Sequence, residues 1–187
     1  MHDPRYVLAR AVLLDVLEAL GNQRDAVIVV GAQAVHMHTG AIEMAVPEFT
    51  LDADITFDPA LVLAIPEIEA AMLEAQFERG NRVGVWLASR TVAGVSARVE
   101  VDLMVPDAVG GPGRRAARLP GHAKEVARKT RGLEAALIDK HVVTMGGLDP
   151  ADVRAFEVAI AGPTALLIAK AHKVAERVAE REHRRLE

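Results

Sequence analysis

Asp52 and Asp54 are the residues most suited to chemistry in this chain. They lie in a stretch, residues 50–57, that alternates strictly. Leu51, Ala53, Ile55 and Phe57 fall on one side of an expected strand, and Asp52, Asp54 and Thr56 on the other. Two carboxylates at i and i+2 project side by side from one face. Like charges that close repel, and a divalent cation relieves the repulsion. Mg²⁺ suits such a site, because it takes one or two carboxylates and completes its shell with water and substrate phosphates. The competing reading is the solvated face of a half-exposed strand, since a bare D-x-D is a short motif. A third carboxylate, Asp102 (or Glu100), lies on the polar face of a second alternating stretch. There Val99, Val101 and Leu103 alternate with Glu100, Asp102 and Met104. Beside the first pair, it would complete a site for two metals or act as a general base toward an acceptor hydroxyl.

The elements that must position these acids can be read from periodicity and breakers. Residues 5–20 have helical apolar spacing and stop at Gly21. Residues 26–30 form a short β-branched run that ends at Gly31-Ala32, and a short helix over 33–39 is closed by Gly40. A turn onto a helix offers backbone N–H groups to a phosphate. This one lacks the later glycines of a dinucleotide fingerprint and the lysine of a Walker loop. Residues 41–48 read as a loop. Asp58-Pro59 predicts a capped helix, Pro66 a restart, and Gly80 a stop after about Arg79. Residues 83–89 and 95–105 predict antiparallel strands. Pro106 to Gly121 is a Gly/Pro/Arg loop, residues 135–145 and 153–160 are short elements, and Pro163 opens a long helix. The sum is an α/β (α+β) chain: a small mixed sheet flanked by helices, with a C-terminal helical arm. Residues 1–150 would form the core and 151–187 an extension, together one compact unit.

Composition narrows the functions. Of 187 residues, 51% are hydrophobic, which excludes wholesale disorder. Aromatics at 3% argue against base-stacking platforms. The absence of cysteine excludes disulfide scaffolds, thiol catalysis and cysteine-ligated zinc. Net charge is −4, but residues 114–131 carry seven basic side chains against Glu125 alone, a local +6. That segment is either a solvated loop or a grip for a nucleic-acid backbone. No apolar run reaches the ~18 residues of a membrane span and no leader pattern opens the chain, so a soluble, cytoplasmic protein is expected. His36 and His38 lie about 200° apart on a helix, too far round to share a metal easily.

Three blocks carry a family resemblance. VIVVGAQAVHMHTG, then TLDADITF, then VEVDLM resemble the nucleotidyltransferase superfamily of the polymerase-β type, and within it the AbiEii/MenT-like toxins. The closing segment GPTALLIAKAHKVAER resembles the part of that branch where a lysine and an arginine share a helix. The resemblance implies the nucleotidyltransferase fold and transfer of NMP from an NTP to an acceptor hydroxyl. The acceptor would be RNA, such as a tRNA 3′ end, and the setting a toxin–antitoxin system with a cognate antitoxin as partner. It implies Mg²⁺ or Mn²⁺ on Asp52, Asp54 and Asp102. It also implies nucleotide contacts from Gly31, Ala32 and Gln33 and from Lys170 and Arg177, which lie two helical turns apart. Ala32 departs from the usual glycine pair, and a late K-D-x-x-D stretch of the branch does not occur before Glu187. Both departures keep two other readings open: a non-catalytic or shortened homologue that binds nucleotide, and a transferase acting on a small molecule such as an antibiotic.

Overall fold

A computed structural model of the chain describes residues 3–40, 52–92 and 94–186. The expected loop over 41–48, and Leu51 at the head of the alternating stretch, lie outside them. Helix α1 (Pro4–Leu20) starts where expected. The Asp3 carboxylate accepts the Arg5 N–H at 2.7 Å, and Pro4 suits the first turn because its missing N–H would have had no partner there. Gly21, at φ 51°, ends it. A 3-10 turn then leads into β1 (Val27–Val29), which passes directly into α2 (Gly31–Thr39). The remaining elements are β2 (Asp52–Phe57), α3 (Ile68–Glu74), β3 (Glu78–Arg79), β4 (Val85–Val92), β5 (Val95–Pro106), β6 (Arg128–Thr130), β7 (Lys140–Gly146), β8 (Ala155–Ala161) and α4 (Pro163–Leu186).

The strands form one mixed sheet in the order β3-β4-β5-β2-β1-β8-β7, with β6 added beside β5. Strand β2 runs parallel to β5 and antiparallel to β1, and β8 runs parallel to β1. Strands β4 and β5 are the antiparallel neighbours the sequence predicts. The sheet is larger than the alternating segments alone suggest, because β1 and the second half of β8 are covered on both faces. Strands of that kind carry no polar alternation.

The two faces differ. On one, Val27, Val29, Ala53, Ile55, Phe57, Val99, Val101 and Leu103 pack with α1 in the main core. Helix α1 is buried along nearly its whole length, Tyr6 to Leu20. Trp86 belongs to this core as well, 1% exposed and donating from Nε1 to the Val126 carbonyl at 3.2 Å. On the other face a smaller cluster joins Ile28, Val30 and Met104 to Leu133, Ala136, Ala161 and Ala165. It is covered by the start of α4 and by the 3-10 turn Glu134–Leu137. The Asp139 carboxylate holds that start by accepting the Ala165 N–H at 2.8 Å.

Two expected elements differ. Asp58-Pro59 opens no helix: Asp58 turns its carboxylate to the Ala60 N–H at 3.1 Å and to the Lys140 ammonium at 3.2 Å. The local Asx turn and the long-range ion pair outcompete the helix. The helix expected to reach Arg79 ends at Glu74. Gln76 takes φ 64°, Phe77 is buried, and Glu78–Arg79 pair with β4 instead. Sheet pairing overrides the helical pattern there. The basic segment 114–131 is not a free loop either. Ala117, Leu119, Val126 and Ala127 are buried, and its end forms β6.

Candidate active site

The register of β2 against β5 places Asp54 beside Asp102, and Asp52 beside Glu100. In the next layer Thr56 lies beside Met104 and Ile28. One face of the sheet is therefore apolar where α4 covers it and acidic at the start of β2 and the middle of β5. All four acids are half-buried.

Gly31 completes the site from the third strand. The Val30 N–H donates to the Asp54 carbonyl at 3.0 Å, so the chain leaves β1 against Asp54. Gly31 has φ 65°, where a side chain is strained. A Cβ there would also lie 2.1 Å from Asp54 Oδ2. The Asp54 carboxylate fills the space that the missing side chain leaves, at the start of α2. The expected turn is thus present, and its glycine serves the acid directly. Ala32 follows it in the first turn of α2, half-buried.

The electrostatics separate the acids. Burial pushes the Asp54 carboxyl up to about 6, and the neighbouring charges of Asp102 and Asp52 add to it. Burial also raises Asp52, followed by repulsion from Glu100 and Asp102. Lys173 opposes the rise on both, as do Arg128 on Asp54 and Arg82 on Asp52. Neither Asp52 nor Asp54 forms an ion pair among the described residues. Asp102, by contrast, accepts from Arg128 twice, at 2.7 Å on Oδ2 and 3.3 Å on Oδ1. Glu100 is paired with Arg82.

The remaining expected contacts distribute unevenly. The Gln33 side chain does not face the acids. It is buried and accepts from Arg10 Nε at 2.8 Å, tying α2 to α1. Lys170 and Arg177 are exposed on α4. The cation that acts on both aspartates is Lys173, exposed on the same helix. Ala165 and Ala169 pack on the smaller core, and steps of four continue that stripe to Lys173. Lys170 lies about 60° away round the helix. His38 is a structural histidine, its Nε2 2.8 Å from the Ala161 carbonyl oxygen. In the basic segment, Lys129 and Arg131 pair with Asp107, whereas Arg114, Arg115, Arg118 and Lys124 are exposed.

Asp52 and Asp54 fit a hard divalent cation: two oxygen donors on one face, repelling each other, one of them in a cradle that a Cβ would fill. Among the described residues no three carboxylates or histidines are disposed to hold one ion together. No described helix is long and apolar enough to cross a membrane.

No family model matches the chain, and no curated protein matches it. Among solved structures it is similar to a protein of Thermotoga maritima whose own assignment as a nucleotidyltransferase is provisional. The two share 15% identity at a TM-score of 0.40, over 99% of this chain and 93% of the other. At those values the likeness carries no argument, and the functional reading rests on the residues.

Proposed function

We propose that this chain is a metal-dependent nucleotidyltransferase that transfers NMP from an NTP to an acceptor hydroxyl. One observation carries the reading. Two aspartates on one face of β2 have no ion-pair partner among the described residues, and Asp54 occupies the space that Gly31 leaves. The resemblance of the sequence blocks points the same way.

Asp52 and Asp54 would hold Mg²⁺ or Mn²⁺. When bound, the cation supplies charge neutralisation at the phosphates and lets both carboxylates ionise together. The first turn of α2, at Gly31 and Ala32, turns backbone N–H groups outward for a phosphate oxygen. Lys173 lies on the sheet-facing stripe of α4 and offsets the charge of the aspartates. Lys170 and Arg177 flank it and reach toward the outer phosphates. The acceptor oxygen attacks the α-phosphorus in line. A bond forms between that oxygen and phosphorus, the bond to the bridging oxygen breaks, and pyrophosphate leaves with the electron pair. The hydroxyl proton goes to Asp102, on Oδ1, the oxygen with the longer Arg128 bond. Positioning and electrostatics provide most of the acceleration in such a transfer.

For the acceptor we favour RNA, with a tRNA 3′ end as the form implied by the resemblance. Exposed Arg114, Arg115, Arg118 and Lys124 form a basic surface that suits a phosphate backbone. A toxin role, with a cognate antitoxin as partner, rests on the resemblance alone. The decisive experiment supplies each α-labelled NTP in turn with Mg²⁺ and total cellular RNA. Label enters RNA with the wild type and not with Asp54→Asn. No label from any NTP would overturn the reading with RNA as acceptor.

A further inference from the structure

The guanidinium of Arg128 is built into its place. The β5–β6 register sets Arg128 beside Met104, one layer from Asp102. Nε and one terminal nitrogen both reach the Asp102 carboxylate, and the other terminal nitrogen donates to Thr130 Oγ1 at 3.1 Å. All three nitrogens are thus engaged. The backbone is fixed as well. Gly84, at φ 74°, has Arg128 N and the Leu103 carbonyl oxygen each 2.5 Å from where its Cβ would be, so β6 seats against bare main chain. The neighbouring Lys129 reaches the Gly111 and Gly113 carbonyls at 2.9 and 3.1 Å and Asp107 at 3.0 Å.

We propose that Arg128 stands in for a second metal ion. The site then takes one divalent cation, on Asp52 and Asp54, and Arg128 reserves Asp102 for the acceptor. This inference rests on the metal-dependent reading above. A fork of two N–H groups takes one lone pair of each carboxylate oxygen, leaves Oδ1 room for the acceptor proton, and supplies a permanent positive charge. A cation bridging Asp54 and Asp102 would have to displace it. Asp102 therefore sits beside the aspartate pair without joining its ligand set.

Manganese titration of the full chain, with free Mn²⁺ read by electron paramagnetic resonance, counts the ions. The wild type binds one. Arg128→Ala, which frees Asp102 beside Asp54, binds two, and Arg128→Lys returns the count to one. Asp102→Asn keeps the single ion with affinity changed by less than about twofold, whereas Asp54→Asn weakens it at least about tenfold. Two ions on the wild type overturn the inference, as does one ion on an Arg128→Ala protein with native circular dichroism. If that variant does not fold, loss of the ion in Asp102→Asn overturns it equally. Absence of Mn²⁺ binding by the wild type has a different meaning: it removes the metal-dependent reading itself and this inference with it.

Discussion

Strands β2 and β5 each present two carboxylates to the same face, at positions that the register pairs one to one, yet the two strands treat them differently. On β5 each acid has its own arginine, Arg82 for Glu100 and Arg128 for Asp102. On β2 the acids lie side by side, Asp54 against Gly31, and among the described residues no arginine pairs with either. A structural carboxylate on a sheet face is normally neutralised or hydrated. A half-buried pair left to repel is held by the surrounding fold, and arrangements of that kind concentrate at functional sites. The contrast between neighbouring strands distinguishes acids available to a ligand from acids that hold the scaffold.

Substitutions can break or sharpen that contrast. The largest effect should come from Asp54→Asn, which loses on the order of 10²–10³-fold in nucleotide transfer while keeping its circular dichroism; transfer at the wild-type rate would place Asp54 with the scaffold acids. Gly31→Ala should follow. Its methyl meets Asp54 and its φ is strained, so the midpoint of denaturant unfolding should fall by the equivalent of about 2–3 kcal/mol.

The two arginines then test the β5 side against itself. Arg128→Ala leaves Asp102, 15% exposed, without its partner and should cost about 2 kcal/mol. Arg82, 63% exposed, should cost less than about 0.5 kcal/mol when replaced by alanine. Equal costs would erase the distinction between a built seat and a surface pair.

Acidity gives a smaller, signed test. The Asp54 carboxyl is raised from its ordinary 3.8 to about 6, so the folded state binds its proton more tightly than the unfolded one. This contribution to stability is present below about pH 4 and is lost as pH rises through about 6. At pH 7.5 the ionised group therefore costs stability. Asp54→Asn should melt higher than the metal-free wild type there, by the equivalent of about 1–2 kcal/mol after allowance for partial exposure. At pH 4 the two should melt together. A higher-melting variant at pH 4 but not at pH 7.5 would reverse the sign and with it the electrostatic account of β2.

The aspartate pair and its glycine were legible in the sequence because both signals are local. A period of two fixes which residues share a face, and a glycine after a β-branched run marks a turn. Arg128 was legible only as part of a basic run. Its partner lies 26 residues away, and the pairing depends on a three-residue strand with no periodicity to read. Lys173 illustrates a different loss. The spacing of Lys170 and Arg177 puts them on one stripe, but which stripe faces the sheet is decided by Ala165 and Ala169 packing on the smaller core. Gln33 sits in the expected turn, yet its direction is set by Arg10 from another helix. The helix predicted after Asp58 failed for a similar reason, since Lys140 is far away in sequence. Local patterns located the elements, and long-range partners decided which side chains remain available.

The position of β8 bears on how the chain must assemble. This strand follows β1 by about 130 residues, yet it lies inside the sheet between β1 and β7 and parallel to β1. During synthesis β1 would emerge with its ladder satisfied on one side only, by β2. The Gly31 turn, which continues β1, therefore rests on a strand whose second neighbour arrives late. Closing so long a loop before gaining its contacts is slow, so the docking of β8 and the ordering of the acidic face should coincide.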